Sequence, residues 1–149
     1  MRSVGNFLYF CAMVRFYTED IKFNLPQKQI VKRWLQSIAF SEGKKVGELS
    51  IIFCSDNYLL QINRQYLQHD YYTDIITFDY TEGNVIGGDL FISIDTVRAN
   101  AEEYKQRFDQ ELRRVMAHGV LHLCGYSDTT DKERKAMRAA EDKALALSG

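Results

Sequence analysis

Residues 74–94 read Asp74-Ile-Ile-Thr-Phe-Asp-Tyr80, then Thr-Glu-Gly-Asn-Val-Ile-Gly, then Gly88-Asp-Leu-Phe-Ile-Ser-Ile94. Two β-rich runs are separated by the turn-forming Glu82-Gly83-Asn84, the pattern of two neighbouring strands. On both sides the periodicity changes to helical. Upstream, Ile30, Val31, Trp34, Leu35 and Ile38 recur at helical spacing and predict a helix over 26–41, with Asn24 as N-cap, Pro26 in the first turn and Gly43 past its end. Val14 to Thr18 suits an opening strand, Val46 to Cys54 a buried one, and Ser55 caps a helix running to Tyr66. Downstream, Asp95 is expected to cap a helix to about Phe108. A further helix after Asp109 carries Leu112, Val115, Met116, Gly119 and Leu123 on its buried stripe, and a last one covers 131–147. The order β-α-β-α-β-β-α-α-α indicates an α/β (α+β) domain, with one mixed sheet of about four strands and about five helices packed on it.

At 149 residues the chain fits one domain with a proper core; 46% apolar and 26% charged residues are ordinary globular values. The net charge of −1 marks neither a polyanion binder nor a membrane-surface protein, so any nucleic-acid partner must meet local positive patches. Cys11, Cys54 and Cys124 are odd in number and widely spaced, which suits reduced thiols in a cytoplasmic protein. The apolar run Phe7 to Val14 is closed by Arg15, lacks a cleavage site and is too short to cross a bilayer. Residues 1–12 are read as an extension ahead of a natural start at Met13, and 13–149 as the domain.

The chemistry concentrates in His118-Gly-Val-Leu-His122-Leu-Cys-Gly125-Tyr-Ser-Asp128. Histidines four apart on a helix share a face, roughly 6 Å from one another, and lie about 60° to one side of the buried stripe. Gly125 can adopt the left-handed conformation that ends the helix. Three more residues reach at most about 10 Å, enough to return Asp128 to the pair. The reading is a three-ligand metal site with an open fourth position. Two histidines satisfied by ordinary hydrogen bonds remain the alternative at this point. Gly119 removes bulk where the helix presses on a neighbour or a substrate. It also occupies the position at which zinc proteases of the His-Glu-x-x-His type place their general base, which argues against that peptidase chemistry. Cys124 points away from His122 and is read as core.

The segment resembles the signature of the YbeY family, His-Gly-x-Leu-His-Leu-x-Gly-Tyr-Asp-His, whose three histidines hold zinc. It matches at His118, Gly119, Leu121, His122, Leu123, Gly125 and Tyr126, and departs at Ser127 and at Asp128, where the family has its third histidine. Asn63-x-x-Tyr66 followed by Asp70-x-x-Thr73-Asp74-Ile-Ile-Thr-Phe78 is similar to a second family pattern. Gly88-Asp89-Leu90-Phe91-Ile92 is similar to a third, and Met137 and Glu141 fit the closing helix. The family's arginine after Asn-x-x-Tyr falls on Leu67 here, and its proline before Thr-Asp on Tyr72. The resemblance implies one Zn2+ held by His118, His122 and Asp128. A carboxylate ligand lowers the charge at the metal and should leave bound water slightly less acidified than three histidines would.

The implied function is a zinc-dependent, single-strand-specific endoribonuclease acting on precursor rRNA at the 16S 3′ end and in ribosome quality control, in the cytoplasm. Arg64, Arg113 and Arg114 are the expected phosphate contacts, with Arg64 the stand-in for the arginine missing at Leu67. Asp74 and Asp89 are expected to orient groups around the ligands, and no general base is identified. His69 is expected to be a solvated loop residue. A non-catalytic ribosome-assembly factor with a retained metal site, binding rRNA or ribosomal proteins, is the alternative, and a metalloprotease-like hydrolase a further one.

Overall fold

The computed structural model describes residues 12–67 and 73–147. The expectations for residues 1–11, and those for His69, Asp70 and Tyr72, lie outside the described residues. The elements are β1 (Met13–Thr18), α1 (Lys28–Ser41), β2 (Lys45–Cys54), α2 (Asp56–Tyr66), β3 (Ile75–Asp79), β4 (Val85–Ser93), α3 (Ile94–Glu103), α4 (Phe108–Leu123) and α5 (Asp131–Leu147). The expected order and fold class are both observed.

The sheet runs β1-β2-β4-β3. β1 and β4 flank β2 in parallel, whereas β3 and β4 form the antiparallel pair that the 74–94 stretch announced. Alternation along β2 decides which face each residue serves. Leu49, Ile51 and Phe53 join the main core with Trp34, Leu35 and Ile38 of α1, Leu112, Val115 and Met116 of α4, and Met137, Ala140 and Ala144 of α5. Cys54 points the other way, into a smaller cluster with Leu59 and Ile62 of α2 and Ile76 of β3. Trp34 anchors the helical layer as well, its indole N–H donating to the Ala144 carbonyl at 2.9 Å.

Two expected helix starts are corrected. α1 begins at Lys28, preceded by Gln27 in the left-handed region (φ 56) with no side-chain cap. Asn24 instead accepts a hydrogen bond from Lys28 Nζ at 2.8 Å. Burial of Leu25 in the core makes the chain turn through Pro26 before the helix can start. α3 is capped by Ser93, which accepts from the Thr96 N–H at 3.2 Å, and not by Asp95. The Asp95 carboxylate reaches across to the Asp56 N–H at 3.0 Å, while the Asp56 carboxylate accepts from Ser93 and Thr96. The start of α3 thus satisfies an orphan N–H of α2, and the Asp56 carboxylate in return binds the Ser93 and Thr96 hydroxyls at the start of α3. α3 also stops at Glu103, five residues before the expected end, which leaves a loop through Arg107.

Candidate metal centre

α4 lies against β3 and β4, and Gly119 is what allows the approach. A Cβ at this position would stand 2.7 Å from Leu90 Cδ1 and 2.9 Å from Ile75 Cδ1. Of the two reasons offered for a small residue here, close packing on the sheet is the one observed. It also leaves no room for the general-base glutamate of a His-Glu-x-x-His protease. The helix ends as expected: Gly125 has φ 110, and the Gly125 and Tyr126 N–H groups return to the His122 and Leu121 carbonyls, each at 3.0 Å. That turn carries Asp128 back over the histidine face.

His118, His122 and Asp128 are the one group of this kind among the described residues that could hold a metal ion, with ligand atoms all within 4.8 Å of one another. Asp128 Oδ2 is 3.3 Å from His118 Nε2 and 3.4 Å from His122 Nε2. Tetrahedral coordination with bonds of roughly 2.0–2.1 Å places neighbouring ligand atoms about 3.3–3.4 Å apart, so these two edges are already those of a zinc-sized site. The imidazoles stand nearly perpendicular (82°), with centroids 4.7 Å apart.

The tautomers follow from the outer partners. His118 Nδ1 donates to Glu141 Oε2 at 2.7 Å, and His122 Nδ1 to the Tyr126 carbonyl at 2.9 Å. Each Nε2 therefore presents its lone pair toward Asp128. With both rings neutral, three electron-pair donors converge there, in the place a metal ion would take; without one, a proton on His118 Nε2 can bridge to Asp128. The donor set thus fits a divalent metal.

Glu141 is the functional residue whose role the sequence left unread. It is buried, and its second oxygen accepts from Arg114 Nη1 at 2.9 Å. Arg114 also donates to Asp142 at 2.7 Å. Burial alone would raise the Glu141 pKa, but His118 and Arg114 outweigh it and hold the carboxyl below its usual range. Burial likewise opposes a charged His118. Glu141 above all, then Asp74 and Asp128, overcome that and favour positive charge on the ring. Spacing offered one signal for Glu141: it follows Met137 by four residues on the inward face of α5.

A cavity of about 690 Å³ opens in front of the cluster. Asp74 and Thr77 line it from the β3 side, Asn63 and Leu67 from the end of α2, Tyr104 from the end of α3, and Glu111, Arg114 and Arg138 from the last two helices. Leu67, where the family pattern has arginine, is an apolar part of this wall. Burial pushes the Asp74 carboxyl above its usual range, partly offset by His118. Asp74 is thus brought to the site. Asp89 is not; it lines a separate depression with Ser50 and Tyr80 on another part of the sheet. Arg114 lines the cavity, but its guanidinium is engaged by Glu141 and Asp142. Arg113 turns toward Trp34, its guanidinium carbon 5.3 Å from the ring centroid. Arg64 is exposed on α2 and is absent from the cavity wall. Cys124 packs against the core as expected, and burial pushes its thiol up to about 11.

The model of the family described as endoribonuclease YbeY matches residues 13–149. The chain belongs to the YbeY family. An endoribonuclease YbeY from Phocaeicola vulgatus is 57% identical over 135 residues, covering 91% of this chain and 98% of the relative. Another from Parabacteroides distasonis is 54% identical, covering 90% and 94% of the two chains. The solution structure of a Thermotoga maritima protein is similar at 28% identity and a TM-score of 0.65, covering 91% of this chain and 89% of that one. The YbeY signature is thus carried here on a helix, a left-handed turn and a returning loop. No helix among the described residues is long and apolar enough to cross a membrane.

Proposed function

We propose that this chain is a metal-dependent endoribonuclease that cuts single-stranded RNA, with one zinc ion held by His118, His122 and Asp128. The convergence of His118 Nε2, His122 Nε2 and Asp128 Oδ2 on one point, with Asp128 at zinc-sized spacing from both rings and an open cavity in front, is the observation that carries this reading. A structural zinc has a closed shell of four protein ligands; here the described residues supply three, and the fourth direction opens on the cavity. When bound, zinc supplies Lewis-acid stabilisation of phosphoryl charge and brings the ionisation of water toward neutral pH.

The protein's own groups do the rest. Glu141 and the Tyr126 carbonyl fix the two imidazoles in the ligating tautomer, and Arg114 keeps Glu141 turned toward His118. Burial raises the pKa of two cavity carboxyls, Asp74 and Glu111, and Asp74, which interacts with the ligand His118, is assigned the proton transfer. Gly119 packs against Leu90 and Ile75, so the peptidase general base has no place on α4. Phosphodiester cleavage makes no demand for a glutamate at that point.

The substrate follows from the relatives' printed name, endoribonuclease. The finer assignment rests on the family resemblance: precursor rRNA at the 16S 3′ end, with a role in ribosome quality control, in the cytoplasm and in company with the ribosome and its proteins. The test is cleavage of one RNA sequence, offered single-stranded and as a perfect duplex, by the zinc-loaded protein. Cleavage of the single strand alone is expected. Tight binding of RNA without cleavage would favour the assembly-factor reading.

A further inference from the structure

We propose that the wall formed by Tyr104 and Arg138 is a nucleotide subsite beside the metal centre, in which Tyr104 stacks on a base of single-stranded RNA and Arg138 holds the adjoining phosphate. This rests on the ribonuclease reading above and adds to it a place for the strand outside the reacting bond.

A second cavity, about 260 Å³, adjoins the first. The two share Tyr104, Glu111, Arg114 and Arg138 as lining, and the smaller one adds Gln106 and Gln110. A chain that enters at the metal cluster and continues into the smaller cavity therefore passes along Tyr104 and Arg138. Those two residues suit an unpaired nucleotide. Tyr104 is 57% exposed, a large aromatic surface left facing water. Its backbone is nevertheless fixed. The N–H groups of Tyr104, Lys105 and Gln106 bond to the carbonyls of Asn100, Glu102 and Ala101 at 2.9, 3.2 and 2.9 Å. Lys105 holds the left-handed conformation (φ 55) that a side chain rarely adopts. A ring on so rigid a loop loses little freedom when a base stacks on it, and stacking tolerates any base.

Among the described residues, Arg138 is the cavity's exposed cation. Arg114 is taken up by Glu141 and Asp142, whereas Arg138 is exposed and, among the described residues, acts on Glu111 and Asp142 through space. It projects from α5, one turn before Glu141, the residue that orients His118. The positive charge that the family places at the position of Leu67 is thus supplied from the α5 side of the cavity. The amides of Gln106 and Gln110 each offer a donor and an acceptor to a base edge in the smaller cavity.

The test uses the zinc-loaded full chain and a short labelled single-stranded RNA, with KM and kcat measured over a series of salt concentrations. Tyr104→Ala is expected to raise KM roughly five- to a hundredfold, with zinc content unchanged, and Tyr104→Phe to keep the wild-type KM. Arg138→Gln should lower the salt dependence of log KM by about 0.7, and Lys135→Gln on the outer face of α5 should leave it unchanged. An RNA with one abasic nucleotide at the stacking position should erase the difference between wild type and Tyr104→Ala. If wild type cuts the RNA but Tyr104→Ala and Arg138→Gln keep its KM and salt slope, the subsite is wrong and the ribonuclease reading stands. If wild type cuts no RNA, both fall.

Discussion

Glu141 accepts the Nδ1 hydrogen of His118 at 2.7 Å, and this single bond decides which nitrogen of the histidine is left for a metal. Removing the carboxylate charge weakens both the orientation and the basicity of the ligand. Glu141→Gln is therefore expected to lower zinc affinity about 10- to 100-fold while the fold persists. Competition against a metallochromic chelator measures it, and an unchanged dissociation constant would remove Glu141 from the account.

Gly119 is expected to resist substitution for packing reasons alone. Its neighbours Leu90 and Ile75 sit under α4, and Leu90 is fully buried, so an added methyl has little room. Gly119→Ala should cost about 1–3 kcal/mol, read as a lower denaturant midpoint with an unchanged slope. A variant as stable as wild type would show that the helix can lift from the sheet.

The strands and helices were legible because burial follows periodicity. Leu49, Ile51 and Phe53 alternate to one face, and Trp34, Leu35 and Ile38 repeat on another. The histidine pair, its glycine stop and the returning Asp128 were legible because all lie within eleven residues, where helix geometry fixes distances. Glu141 and Arg114 were not, since their roles come from α4 packing against α5, and nothing in local spacing records that register. Arg113 and Arg114 are adjacent in sequence, yet one stacks on Trp34 and the other reaches Glu141. The caps at Gln27 and Ser93 were misplaced for a related reason. Leu25 burial and the bond from the Asp56 N–H to the Asp95 carboxylate are tertiary choices that override local preference.

The loop that carries Asp128 has its own pH dependence. Glu133 accepts hydrogen bonds from the Thr129 hydroxyl and from the Thr129 and Thr130 N–H groups at the start of α5. These bonds, the Thr129 hydroxyl first, pull its pKa down to about 2. A depressed carboxyl binds its proton more readily in the unfolded chain, so its contribution to stability is complete above the ordinary glutamate value of about 4.3. It is lost as pH falls from there toward about 2. Denaturant midpoints for wild type and Glu133→Gln should differ at neutral pH and converge through that acidic window. A difference that stays constant with pH would contradict the assignment.

RNA binding is expected to require the metal, and not only RNA cleavage. The cavity wall carries the carboxylates Asp74, Asp79, Glu111, Asp128 and Glu141 against the guanidiniums of Arg114 and Arg138. An acidic cavity repels phosphate until a divalent cation offsets the excess. Fluorescence anisotropy should show affinity for single-stranded RNA falling on chelation and returning with zinc. Equal affinity in both states would mean that the strand is held elsewhere on the surface.

The central claim is that His118, His122 and Asp128 together hold the metal that makes this chain a ribonuclease. Its most direct test is the rate of single-stranded RNA cleavage as zinc is titrated into chelator-stripped wild type and into His118→Ala and Asp128→Ala. Wild-type activity should rise from background and saturate at one zinc per chain, while both variants stay near background at that concentration. Cleavage that is indifferent to chelation, or that survives in both variants at the wild-type rate, would contradict it.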